Sequence, residues 1–540
     1  MAIAKKKTKR ARTSRGASSS RTGALAVVFG DQLDAGAPLL DGLDRKSDVV
    51  LLAEVRGEST DPPSHRQRTI LFLSAMRHFA RDLRRRGFEV RYVEIDDPDN
   101  SQTLRGEIER AIAELRPERL LCTEPGDWRV RRAFEDAAAT SGVAAEVLPD
   151  AHFLTSTAEF AGWVEGRRRI RMEDFYRWQR RRLGILVDDD GQPEGGRWNF
   201  DSDNRKPFGR KGPEVRTRST FSPDALTRKV IETVRRELPD LPGRDEEFGW
   251  PVTRKQARAA LDEFIEHHLG DFGPYQDAMW IGEPLLNHSL LSASLNLKLL
   301  DPRECVEAAV AAGREGRAPL QSVEGFVRQI IGWREFVRGI YFAEGPEYRT
   351  RNSLGADRPL PEAYWTGETD MKCISESVGE VLDRGYGHHI QRLMVTGNFA
   401  LLAGIEPADV ADWFLGMFVD GVDWVTVPNV VGMALHADAR PGTSEGVVGS
   451  KPYASTGRYI ERMSNYCASC RFDPKKRTGE DACPFSVLYW DFLLRHRKRF
   501  SANQRMALVM KNLDRLDDAE RKAIGRDARK LRDPSGVARG

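Results

Sequence analysis

The 540 residues, 40% hydrophobic and 31% charged, are too many for one ordinary core, so two or more domains are expected, and no apolar run approaches membrane-spanning length. The formal charge of +3 hides an asymmetry: residues 1–23 hold eight Lys or Arg and no acid, which leaves 76 basic against 81 acidic residues, or −5, in the rest. This excludes a wholly basic nucleic-acid-binding surface and confines any such site to a local patch, while six cysteines in so long a chain exclude a disulfide scaffold and suit a reducing compartment.

The head MAIAKKKTKRARTSRGASSSRTG (1–23) lacks the apolar core of a secretory signal and the apolar half of a mitochondrial presequence, and reads as a disordered basic tail. From residue 24 to about 155 the pattern alternates. Strands LAVVFG, DVVLLAEV, EVRYVEI, RLLCTEP and AAEVLPD are separated by helical stretches near 65–86, 103–116 and 129–140, which predicts a parallel, helix-flanked α/β sheet of Rossmann type. The first turn, Phe29-Gly30-Asp31-Gln32-Leu33, is neither GxGxxG nor a Walker loop, so a standard dinucleotide or ATP site is disfavoured. A ligand here would meet the strand ends, with Asp31 and Glu58 as candidates; a helix cap and a surface acid explain them equally well.

Residues 156–255 contain RRRIRMEDFYRWQRRRLGIL, an Arg-rich amphipathic segment, and then GQPEGGRWNFDSDNRKPFGRKGP, which has little regular periodicity. They read as a long interdomain linker packed over its neighbours, whose basic side chains either follow a phosphate backbone or form a solvated face. From 256 to 540 the spacing is helical throughout, without strand alternation, and predicts an all-α domain.

That domain carries the chemistry. His388 and His389 open an apparent helix in GYGHHIQRLMVTGNFALL, and Arg392 follows one turn later, so a basic, titratable corner forms. Asp420 and Asp423 sit in a glycine-containing turn among apolar residues, where carboxylates need a specific partner. Adjacent histidines in isolation more often cap a core helix; the carboxylates, Trp365, Trp413, Trp424 and the cysteines nearby argue for a site. Cys467-x-x-Cys470, then Cys483-Pro484 after twelve intervening residues, has metal-ligand spacing, and Cys373 is the natural fourth ligand because Cys122 and Cys305 read as buried apolar thiols. Spacing alone favours a structural zinc; the Cys-Pro pair leans toward iron–sulfur, and a disulfide is least expected.

Taken together, FGDQL, WNFDSDNRKP, IGWREFVRGIY, GYGHHIQRLMVTGNFALL, SKPYASTGRYI and the four cysteines resemble the iron–sulfur bacterial cryptochromes and photolyases, the branch containing prokaryotic (6-4) photolyases. The resemblance spans nearly everything after residue 23. It implies an N-terminal antenna domain (24–155), the linker (156–255), and a helical domain (256–540) holding FAD, with a [4Fe-4S] cluster on Cys373, Cys467, Cys470 and Cys483. It implies FAD contacts from Ser289, Leu290, Leu291 and Ser292, whose hydroxyls and backbone N–H groups suit a pyrophosphate, and from Tyr275, Trp333, Arg334, Glu335, Asp420, Asp423 and Asn429. The implied antenna is 6,7-dimethyl-8-ribityllumazine beside Asp31, Gln32 and Glu58, and the implied electron relay is Trp365 and Trp413, with Phe414 where some relatives have tyrosine.

The activity implied is light-driven repair of the (6-4) lesion in UV-damaged DNA, with His388 or His389 giving a proton and Arg392 and Tyr453 meeting the lesion. The resemblance admits one alternative, a cryptochrome photoreceptor without repair, which the intact HHxxR corner disfavours; a primase-like DNA-binding protein leaves the flavin loop unexplained. A monomer in the cytoplasm, at the nucleoid when bound to DNA and with no membrane contact, is expected.

Overall fold

The structure is a computed structural model that describes residues 22–532. The basic tail expected over residues 1–23 lies outside the described residues except for Thr22 and Gly23. Five strands, β1 (Ala24–Val27), β2 (Val49–Ala53), β3 (Glu89–Val93), β4 (Arg119–Thr123) and β5 (Ala144–Leu148), form one sheet in the order β3-β2-β1-β4-β5, and every pairing is parallel. The period of two is visible in β1: Leu25 and Val27 enter one core, while Ala24 and Ala26 enter the other, so both faces are buried as a parallel sheet requires. Strand order reverses between β1 and β4, which opens a crevice at their carboxyl ends.

Helices α1 (Arg66–Arg85), α2 (Leu104–Leu115) and α3 (Trp128–Ser141) fall where the sequence places them. Thr103 caps α2 and Asp127 caps α3, satisfying N–H groups that have no partner within the helix. The cap of α1 also docks the sheet on the rest of the chain. His65 accepts from Gln67 N at 3.0 Å through Nδ1, its Nε2 lies 3.0 Å from the Leu382 carbonyl, and Gln67 donates to the Asp383 carbonyl at 2.8 Å.

The stretch read as a linker is more regular than its composition implies. It contains α4 (Thr157–Val164), α5 (Met172–Leu183) and α6 (Ala225–Glu237), because Ser156 and Glu159 form a capping box, Gly184 stops α5 at φ 65°, and Asp224 caps α6. Phe160, Trp163, Phe175 and Phe336 interlock at 5.1–6.0 Å and clamp the α4–α5 hairpin to the helix Glu335–Glu344. From Arg254 onward the described chain is helical, and among the described residues no helix is long and apolar enough to cross a membrane.

Candidate functional site

A cavity of about 1290 Å³ opens in the helical part. Three seven-residue π-helical stretches line it: Arg328–Arg334, Gln391–Gly397 and Pro428–Ala434. A widened turn leaves a carbonyl without its usual helical N–H, and here a side chain four residues on takes that place. Gln329 donates to Gly325 O at 3.1 Å, Thr396 to Arg392 O at 3.1 Å, and Asn429 to Val425 O at 2.7 Å. Helical periodicity gave no sign of these bulges, although each contains the polar residue that makes this bond, Gln329, Thr396 or Asn429.

His388 and His389 both line the cavity. His388 is buried, and neither of its ring nitrogens has a hydrogen-bond partner among the described residues. Burial, then the neighbouring imidazoles and Arg392, push it well below the ordinary histidine range. His389 is exposed to the cavity, yet desolvation and then Arg392 hold it at about 4. Arg392 lines the cavity too, but its guanidinium is already engaged: it forks onto Asp420 at 2.9 and 3.1 Å and donates to Gly387 O at 2.6 Å. The sequence reading gave these two residues separate partners, and the fold pairs them with each other. Tyr453 stands at the rim, 38% exposed.

Ser289, Leu290, Ser292, Trp333, Arg334 and Asn429 also line the cavity. Leu286 and Leu290 take left-handed conformations, φ 44° and 59°, which cost a branched side chain of order 1 kcal/mol each and turn the loop backbone toward the space. Leu291 is buried beneath it. Three residues expected here lie elsewhere. Tyr275 stacks on Phe208 at 4.7 Å. Glu335 points away, accepting from Thr155 N at 2.8 Å and pairing with Arg334 at 3.3 Å. Asp423 begins a separate short helix tied to the sheet through Trp424 N and Gly126 O at 3.1 Å, so its carboxylate meets Tyr341 at 2.5 Å and Arg349. The Arg-rich α4–α5 connection, with Arg167, Arg168, Arg169 and Arg171, forms part of the wall, as do Arg205 and the loop 440–450. Of that loop, only Ser450 belongs to a stretch that the sequence reading had singled out.

A second cavity of about 110 Å³ sits at the sheet crevice, with Asp31, Glu58, Asp127 and Asp423 in its wall. Burial raises Asp31 to about 6, and burial with Asp127 nearby raises Asp423 to about 6. Glu58 is forked by Arg129 at 2.5 and 2.9 Å. Gln32 is not in this wall; it braces the sheet, donating to Thr123 O at 3.1 Å and Glu124 O at 3.3 Å.

Cys373, Cys467, Cys470 and Cys483 line one small cavity of about 10 Å³, brought there by the helices Lys372–Arg384 and Pro484–Arg495 and the turn Tyr466–Ser469. Cys122 and Cys305 are buried elsewhere in the cores. Burial raises Cys467 to about 12, Cys483 to about 11, and Cys373 well above its ordinary value, so an ion or cluster must displace protons to bind. Gly457 gives way to the site: a Cβ there would meet Cys483 Sγ at 2.6 Å. Among the described residues no three His, Cys, Asp or Glu side chains are set to hold a single metal ion.

Trp413 is buried and donates to Tyr364 O at 2.9 Å, whereas Trp365 is 37% exposed. Between cavity and surface the structure inserts two rings. Phe414 lines the cavity and packs on Trp413 at 5.1 Å, and Tyr364, which the sequence reading passed over, packs on Trp413 at 5.1 Å next to Trp365.

Residues 26–250 match the family model described as deoxyribodipyrimidine photo-lyase-related protein. A protein of Agrobacterium fabrum named (6-4) photolyase is 48% identical over 484 residues, 89% of this chain and 94% of that one. Among solved structures, a class III photolyase from Agrobacterium tumefaciens superposes with a TM-score of 0.53 at 15% identity, over 96% of this chain and 99% of that chain. A cryptochrome from Synechocystis sp. PCC6803 superposes with 0.52 at 13% identity, over 82% and 88%. Both share the fold.

Proposed function

The chain belongs to the (6-4) photolyase branch of the photolyase/cryptochrome family, and from that membership we propose that it repairs (6-4) pyrimidine-pyrimidone lesions in UV-damaged DNA under light. The observation that carries the reading is the histidine corner, where the exposed His389 and the buried His388, whose two ring nitrogens have no partner among the described residues, stand in the wall of a large cavity lined partly by arginines. FAD bound there would supply, when reduced and excited, the electron that opens the lesion, and recover it afterwards. The lining fits such a group. The Leu286–Ser292 loop offers backbone and the hydroxyls of Ser289 and Ser292, and Asn429, its amide nitrogen committed to Val425 O, has its carboxamide oxygen to offer.

The remaining steps belong to the chain. Arg167, Arg168, Arg169, Arg171 and Arg205 hold the phosphate backbone, so affinity for damaged duplex falls with salt. Flipping the lesion out costs a few kcal/mol, less than for an undamaged base pair because its stacking is already broken. His388 or His389 then gives a proton to the oxygen that returns to the other base. Both histidines are neutral in the ligand-free cavity at pH 7, so the anionic occupants must raise their pKa before either can act as an acid. Proton uptake therefore accompanies binding. Affinity for damaged duplex should rise from pH 8 to pH 6, with less dependence in His389→Ala; a pH-independent affinity in both proteins would contradict it.

Four thiols from three stretches meeting in one cavity, with the family membership, support a [4Fe-4S] cluster on Cys373, Cys467, Cys470 and Cys483. Asp31 and Glu58 are the residues in that wall of the sheet crevice that would hold a lumazine antenna, with Gln32 bracing the sheet beside it. The division at 24–155, 156–255 and 256–540, a monomeric state, and cytoplasmic work at the nucleoid complete the reading. For the relay, Trp413→Phe and Trp365→Phe should each slow photoreduction of the flavin by an external donor while chemically reduced enzyme still repairs. Wild-type photoreduction in both variants would make these rings core packing alone. The function itself is tested with reduced, illuminated protein on lesion-bearing duplex, where photoreduction without lesion loss would favour the photoreceptor.

A further inference from the structure

The loop between Leu286 and Leu290 brings a third histidine to the corner, one that the sequence reading left unassigned. His288 lies face to face with His388, ring centroids 4.4 Å apart and planes 14° from parallel. Its own placement is firm. The edge of Phe272 meets it at 6.2 Å and 85°, and Arg218 fixes its backbone by donating to the carbonyls of Leu286 and His288. The rings themselves are held by packing: His288 Nε2 and both ring nitrogens of His388 are buried without a hydrogen-bond partner among the described residues. An imidazole without such a bond has a broad, weakly held χ2, so the plane of His388 is set by the face it packs against.

We propose that His288 is a positioning residue for the proton donor His388: its ring fixes the plane in which His388 presents its nitrogens, and the stacked pair carries at most one proton. The proposal rests on the reading of His388 as donor. The charge half follows from what faces the pair. Arg218 acts on it from the connection before α6, and His389 and Arg392 from the helix that starts at His389, while Tyr386 stands nearby. The acid within reach, Asp420, is already forked by Arg392. A second imidazolium stacked on the first has no countercharge, so His288 and His388 compete for one proton and titrate as a unit.

Two substitutions separate face from charge. His288→Phe keeps an aromatic face and removes the competing base; His288→Ala removes both. With flavin reduced and damaged duplex saturating, His288→Ala should lose about tenfold or more in repair per absorbed photon at little cost in lesion affinity, within the range of general-acid effects, and His288→Phe should recover most of it. In the dark, without lesion, the histidine NMR signal assigned by its loss in His388→Ala should titrate about one pH unit higher in His288→Phe than in wild type. Wild-type repair by His288→Ala, or equal losses in both variants with an unmoved His388 midpoint, would overturn the proposal. Full repair by His388→Ala would instead overturn the donor reading on which it stands, whatever the dark titration gives.

Discussion

Replacing His388 or His389 by alanine should remove most (6-4) repair, by about two to four orders of magnitude, while FAD binding, photoreduction and binding of damaged duplex persist. The reason lies in how little else the two rings do. His388 makes no hydrogen bond through its side chain among the described residues, and His389 faces the cavity, so neither truncation breaks a polar contact of the fold. The loss should therefore fall on the chemical step. A purely packing role would leave the opposite signature, with flavin lost and normal repair by whatever protein remained folded. The comparison requires flavin already reduced, so that electron supply is not limiting.

The second large effect is at the cysteines. Cys373, Cys467, Cys470 and Cys483 come from three separated stretches and share one cavity, so a cluster on them ties the helix Lys372–Arg384 to the start of the helix Pro484–Arg495. Cluster binding is then folding free energy, and alanine at any of the four should give insoluble or flavin-poor protein. Gly457→Ala should lower the iron content, since its methyl would displace Cys483 Sγ. Cys122→Ala and Cys305→Ala remove small apolar groups from cores elsewhere, an ordinary cost of about 1 kcal/mol, and should stay folded and brown. Iron analysis should find about four irons per chain; zinc in their place would refute the cluster.

How much of this was legible before the structure depends on the range over which each feature is written. The strands and the helices α1 to α3 are local, with a period of two in β1 and capping residues at Thr103 and Asp127, and they lie where the pattern put them. Helix α5 falls on the Arg-rich amphipathic segment, whereas α4 was passed over inside the stretch read as linker, although the Ser156–Glu159 box was there to be read. Pairings across the fold are not written locally. Nothing near Arg392 announces that Asp420, twenty-eight residues on, takes its charge. Nor does anything near Asp423 say that it turns toward the sheet while Asp420, three residues earlier, faces the cavity. The π-helical turns escaped for a related reason. They conserve the apolar stripe of a helix while adding one residue to the turn, so a periodicity argument reads through them. His288 directly precedes Ser289, the first residue of the stretch assigned to flavin binding, and only the tertiary fold sets its ring against His388.

The most direct test is lesion loss itself. Purified protein with its flavin chemically reduced should be mixed with a duplex carrying one (6-4) photoproduct and divided between blue light and darkness, with a duplex carrying a cyclobutane dimer as the control. The account predicts restoration of the two intact bases in the illuminated (6-4) sample, none in the dark, and little or none in the dimer control. Persistence of the (6-4) lesion under light, by protein shown to hold reduced flavin and to bind the duplex, would contradict it.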